Sequence, residues 1–119
     1  MEFTYAATGA FSASHEEEAC FIGPRLHGHR WTVSTRTQAR FDPVKGRLTS
    51  GTHIGISLND LLAELDGRHL NDMLPGTHTT PENIGAWAME RLSLSHKGLF
   101  EVTVEVDGHE VRITREVRA

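Results

Sequence analysis

Leu26-His27-Gly28-His29-Arg30-Trp31 opens a run of residues that continues to Phe41. Within it Trp31, Val33, Thr35 and Thr37 alternate with polar or charged neighbours, the period of two that belongs to a β-strand. Residues two apart on a strand project from the same face, so His27 and His29 stand side by side and Gly28 leaves the space between them open. A third imidazole has to come from a neighbouring strand. Glu2–His15 is rich in Phe, Thr and Ala, has little helical period, and ends in Phe11-Ser-Ala-Ser-His15. It reads as that neighbour. Three nitrogen ligands on a zinc ion would leave the fourth tetrahedral position to water or substrate, as in a catalytic site rather than a structural one. Imidazole also suits iron, nickel and copper, so spacing does not fix the metal.

The pair alone carries little weight. Eight histidines in 119 residues produce about half an H-x-H pair by chance. The rest of the chain decides what the pair means. Asp42-Pro-Val-Lys-Gly46 reads as a turn, because Pro fixes φ and Gly accepts positive φ. Leu58, Leu61, Leu62 and Leu65 make one apolar helical face, with Ser57 as its cap, Asp60 near its N-terminus and Gly67 at its end. A second helix starts at Thr80 with Pro81 in its first turn, and Ile84, Trp87, Ala88 and Leu92 supply its buried stripe. Phe100, Val102, Val104 and Val106 then alternate with Glu101, Thr103 and Glu105. Asp107-Gly108 turns the chain into Glu110–Thr114, a hairpin signal. The expected order is ββααββ, an α+β fold in a single domain over 1–119.

Composition restricts the class. Twelve Lys and Arg against sixteen Asp and Glu give a formal charge of −4, and no basic block is present to neutralise phosphates, which argues against nucleic acid as a partner. One cysteine rules out an intramolecular disulfide and suits a reducing compartment. Met1-Glu-Phe-Thr-Tyr5 lacks a signal peptide's basic and apolar regions, and no apolar run reaches membrane-spanning length. The expectation is a cytoplasmic protein that binds no membrane.

Four blocks, Phe11-Ser-Ala-Ser-His15, Leu26-His-Gly-His29, Leu65-Asp-Gly-Arg-His-Leu-Asn-Asp72 and Thr80-Pro-Glu-Asn83, occur in an order that resembles the 6-pyruvoyl-tetrahydropterin synthase family. That family includes the 6-carboxytetrahydropterin synthases of 7-deazaguanine (queuosine) biosynthesis. The resemblance implies the tunnelling fold, an antiparallel sheet with two helices on one face. It also implies trimers whose sheets close into a barrel, stacked as homohexamers with active sites between subunits. It makes His15, His27 and His29 ligands of Zn2+, and the pterin 7,8-dihydroneopterin triphosphate the substrate. The implied reaction is a lyase step in which triphosphate is eliminated and the side chain is rearranged or cleaved. Zinc would serve there as a Lewis acid toward adjacent side-chain oxygens.

The resemblance further assigns catalysis to Cys20, Asp66 and His69, and substrate binding to Glu105, Thr80 and Glu82. The chain departs from the family pattern at several of these. Cys20 lies seven residues before His27, further than the family's cysteine, and Gly23 stands four before. Gly67 follows Asp66 where the family has histidine, so His69 would have to substitute, although a histidine near a helix end is commonly a surface residue. Ser57 stands where an aspartate is frequent, and Val106 occupies the register of the family's pterin-anchoring glutamate, with Glu105 beside it. Glu16, Glu17 and Glu18 read as a solvated loop that holds one alternative base. His53, His78, His96 and His109 read as surface histidines. These departures leave open a diverged paralogue that keeps fold and metal, binds another pterin-like or purine-like ligand, and has altered or lost catalysis.

Overall fold

The computed structural model describes residues 1–17 and 25–117. Four strands form one antiparallel sheet in the order β1-β2-β5-β6: β1 Phe3–His15, β2 His27–Ala39, β5 Leu99–Val106 and β6 His109–Thr114. Between β2 and β5 come a small hairpin, β3 Phe41–Asp42 with β4 Arg47–Leu48, and then three helices, α1 Ile54–Ala63, α2 Leu70–Met73 and α3 Pro81–Ser93. The expected order of long elements is present. The hairpin uses the Asp42–Gly46 turn, whose Asp42 side chain accepts from the Val44 amide at 2.9 Å. The additional helix, α2, is a single turn and too short to carry a periodic signal.

β1 and β2 pair from Phe3↔Ala39 to His15↔His27 without a shift. Strand alternation sends Phe11, Trp31, Val33, Val102, Val104 and Val106 to one face, where α1 and α3 cover them with Leu58, Leu62, Ile84 and Ala88. Phe11 and Trp31 are direct cross-strand partners, stacked at 5.9 Å with rings 2° from parallel. Trp31 is fully buried. It forms the floor beneath the strand ends that carry His15 and His29.

Three local expectations are corrected. Helix α1 starts one turn before Ser57, with His53 at its N-cap, because Ile54 is buried in line with Leu58 and extends the apolar stripe. Ser57 then lies inside the helix, its hydroxyl 2.8 Å from Nε2 of His96, and Asp60 is mid-helix rather than in the first turn. The helix ends at Ala63, before Gly67. With φ of 72°, Gly67 instead reverses the chain so that its N–H reaches the Ser12 carbonyl at 2.7 Å. In α3 the buried stripe includes Gly85 and Met89, while Trp87 is half-buried under the Arg91 guanidinium at 5.3 Å. No helix among the described residues is long and apolar enough to cross a membrane.

Gly85 is where α3 presses hardest on the sheet. A Cβ there would stand 2.2 Å from Ile113 Cδ1 and 3.1 Å from Val104 Cγ2. Alanine would gain about 1 kcal/mol of helix propensity, but a branched side chain has nowhere to go. Gly85→Val is expected to lower the urea-derived unfolding free energy by about 1–3 kcal/mol. The His96 imidazole gives a second expectation: burial, and then the nearby His53, hold its pKa below the ordinary 6.5. The unfolded chain takes up a proton at that position that the folded chain resists, so stability falls as pH drops below 6.5. The loss in urea midpoint between about pH 7.5 and about pH 5.5 should be smaller in His96→Gln than in the parent.

Candidate metal centre

Register alone brings the three imidazoles together. His15 is the cross-strand partner of His27, and His29 lies opposite Ala13, two residues along on the same face. Ring centroids are 4.5 Å apart for His15–His27, 5.0 Å for His15–His29 and 4.5 Å for His27–His29. One ligand nitrogen from each lies within 4.8 Å of the others. Nitrogens bound tetrahedrally to zinc at 2.0–2.1 Å would stand about 3.3 Å apart, well within reach of this cluster.

The outer ring atoms fix which nitrogens face inward. Nδ1 of His15 is 2.9 Å from the Thr79 carbonyl, Nδ1 of His27 is 2.6 Å from the Arg25 carbonyl, and Nδ1 of His29 is 2.6 Å from Asp107 Oδ2. Carbonyl and carboxylate oxygens only accept, so each Nδ1 carries a proton and donates, which leaves each Nε2 as the nitrogen that faces the centre. Nε2 of His15 and Nε2 of His27 are 2.8 Å apart. At that distance one nitrogen donates to the other, and a metal bound there would displace the shared proton. This donor set fits a divalent metal bound by three imidazoles, with oriented acceptors behind the ligands.

Burial favours the neutral ligand at His15. Desolvation is the largest influence and lowers its pKa, as do His27 and His29, against the Thr79 carbonyl and Glu17, which act in the opposite direction. Glu17 is itself 5% exposed, so the expectation of a fully solvated glutamate run is corrected at that position. Its Oε1 accepts from Nδ1 of His78 at 2.7 Å and its Oε2 from the Thr79 amide at 3.0 Å. Through Thr79 this carboxylate ties the end of β1 to the segment entering α3, and the same Thr79 holds His15. His78 is exposed, as expected of a surface histidine, and its ring nitrogen adds to this support.

A cavity of about 200 Å³ opens beside the cluster, with His15, His29 and Glu17 on one side, Thr80 and Glu82 on another, and Trp31 as apolar wall. His109, exposed as expected of a surface histidine, also lines it. A larger cavity of about 460 Å³ lies against Gln38, His96 and Gly98. It is at the far end of β2, about 33 Å along the strand from His27, and no group of three metal-ligating side chains accompanies it among the described residues.

Other expected site residues are placed elsewhere. Asp66 Oδ1 accepts from the Ser12 amide at 2.9 Å, and His69 Nδ1 is 2.9 Å from Ser14 Oγ. Ser12 and Ser14 alternate with Ala13 and His15, so Asp66 and His69 lie across β1 from the imidazoles, where they hold the 66–71 segment to the strand. Glu105 is exposed and pairs in register with Thr32 and Glu110, on the sheet face opposite Trp31 and Val106. Cys20 and Glu18 lie outside the described residues. Asp107 was not anticipated at the centre, and Glu17 only as one of three carboxylates among which an alternative base was expected. A carboxylate behind a ligating histidine is a general pattern, but nothing in the spacing distinguishes these two among sixteen acidic residues.

Residues 4–117 match the family model described as 6-pyruvoyl tetrahydropterin synthase. Among solved structures, Caenorhabditis elegans 6-pyruvoyl tetrahydropterin synthase superposes with a TM-score of 0.78 at 19% identity, covering 98% of this chain and 97% of that one. The uncharacterized protein WS1659 from Wolinella succinogenes gives 0.76 at 16%, covering 98% and 99%. A Plasmodium vivax 6-pyruvoyltetrahydropterin synthase in which a catalytic glutamate is replaced by alanine gives 0.73 at 14%, again covering 98% and 99%. No curated protein matches the chain at a significant level.

Titration with Zn2+ tests the centre. At a hundredfold excess over the dissociation constant, the metal should raise the unfolding free energy by about 2.7 kcal/mol. His27→Ala removes a half-buried ring at the strand end, and should abolish that gain while leaving metal-free unfolding little changed.

Proposed function

The chain belongs to the 6-pyruvoyl tetrahydropterin synthase family, and from that premise we propose that it is a zinc-dependent lyase of the 6-carboxy-5,6,7,8-tetrahydropterin synthase type, acting on 7,8-dihydroneopterin triphosphate in 7-deazaguanine (queuosine) synthesis. The observation that carries this reading is the inward-facing set of His15, His27 and His29 beside a cavity walled by Trp31. Bound by these residues, zinc supplies Lewis acidity toward adjacent oxygens of the substrate side chain.

The chain's own residues supply the rest. Pro81 and Val111 offer apolar surface to a planar ring, while Thr80 and Glu82 offer polar groups at the cavity edge. About 200 Å³ is less than the roughly 300–1,000 Å³ of most small-molecule pockets, which favours a site completed by a second subunit of a homo-oligomer. Two groups are candidates for the base. Glu17 lines the cavity and is held ready by the Thr79 amide and His78. Cys20 is the candidate from the family pattern. The Plasmodium vivax enzyme, whose catalytic residue is a glutamate, favours taking the carboxylate seriously.

One observation favours the alternative of a diverged paralogue with another pterin-like or purine-like ligand. Asp66 commits one carboxylate oxygen and His69 one ring nitrogen to β1, away from the imidazoles of the same chain. Purified, zinc-loaded protein incubated with 7,8-dihydroneopterin triphosphate decides between the two. The first reading expects triphosphate release and a rearranged or cleaved side chain, and an unchanged substrate sinks it. If turnover occurs, Glu17→Gln and Cys20→Ala separate the bases, since loss of the true one costs about 10²–10⁴-fold in rate.

A further inference from the structure

Asp107 is the first residue of the two-residue turn between β5 and β6, and it adopts φ of 48°, the one non-glycine residue with positive φ among the described residues. A turn of this type asks for positive φ at both central positions, which Asp followed by Gly satisfies at modest cost. The turn asks nothing of the carboxylate. Yet the side chain, about half exposed, reaches across to β2 and places Oδ2 2.6 Å from Nδ1 of His29, whose own side chain is 2% exposed. Register explains how it gets there. Trp31 pairs with Val106, so the turn begins level with the next residues of β2, Arg30 and His29. A longer loop would carry the carboxylate past the ring.

The three imidazoles are held by unlike acceptors. His15 and His27 donate to main-chain carbonyls, of Thr79 and Arg25, whereas His29 donates to a charged side chain. A carboxylate behind an imidazole fixes its tautomer, aims its ring and makes the inward nitrogen more basic. We propose that Asp107 is a positioning residue of the metal centre: it locks His29 with Nε2 facing His15 and His27, so that the β5–β6 turn doubles as the outer support of one ligand. This inference rests on the reading of His15, His27 and His29 as a metal centre.

The test separates turn from carboxylate. Asp107→Gly keeps a residue that adopts positive φ freely and deletes the acceptor. Asp107→Asn keeps an acceptor oxygen and removes the charge. Zinc affinity, from competition with a chelator, and the visible absorption of the Co2+-loaded protein are read on the full chain, alongside thermal unfolding without metal. The expected result is a loss of about 10–100-fold in affinity for Asp107→Gly, a changed Co2+ spectrum, unfolding without metal at or above the parent temperature, and a smaller loss for Asp107→Asn. Parental affinity and spectrum in Asp107→Gly would overturn the role of Asp107 while leaving the metal centre standing. A parent chain that binds neither ion overturns both.

Discussion

The unshifted antiparallel register of β1 and β2 is the constraint on which the rest depends. A slip by one residue would turn every side chain of β1 to the other face. Phe11 would leave Trp31, Ala13 would leave the core, and His15 would point away from His27. The hydrophobic pattern and the metal ligands therefore demand the same pairing. The stacked Phe11–Trp31 pair and the buried Val33 enforce it thermodynamically, since large buried side chains are each worth about 1.5–3 kcal/mol. The histidines, being at the strand ends, inherit a geometry that the core has already fixed.

Around that pairing the support of the imidazoles comes from distant parts of the chain. Thr79, at the entry to α3, holds His15, and Asp107, at the β5–β6 turn, holds His29. Glu17 ties the first of these to the end of β1 through its contact with the Thr79 amide. The cluster thus reports on whether α3 and the C-terminal hairpin are both docked, and a metal bound there would be coupled to tertiary structure as much as to the strands that carry the histidines.

Much of this was legible in the sequence, and the reason is periodicity. Thirteen-residue strands with alternating Trp31, Val33 and Thr35, and an Asp-Gly turn between valine-rich runs, carry signals that hold over their whole length. So did the H-x-H pair, because side-chain direction on a strand follows from spacing. Helix α1 began earlier than Ser57 suggested because burial of Ile54 outweighs a capping hydroxyl. The short α2 and the single-residue roles of Glu17, His78 and Asp107 were not legible. Each depends on where one side chain points after distant segments pack, and a run of three glutamates or a turn aspartate looks the same whether or not an imidazole arrives beside it. Asp66 and His69 show the converse: residues set in a suggestive block each place one polar atom on an edge strand.

That edge has a consequence for how chains can meet. β1 and β6 are the outer strands of the sheet, and an exposed edge is an open template for another strand. Along the metal end of β1 the template is already filled. Gly67 and Arg68 bond to Ser12 and Ser14, and Asn71 bonds both the N–H and the C=O of Glu16 at 2.9 and 2.8 Å. A strand from another molecule that adds to β1 would have to pair with residues before Ser12. Such a pairing would fall short of the imidazoles.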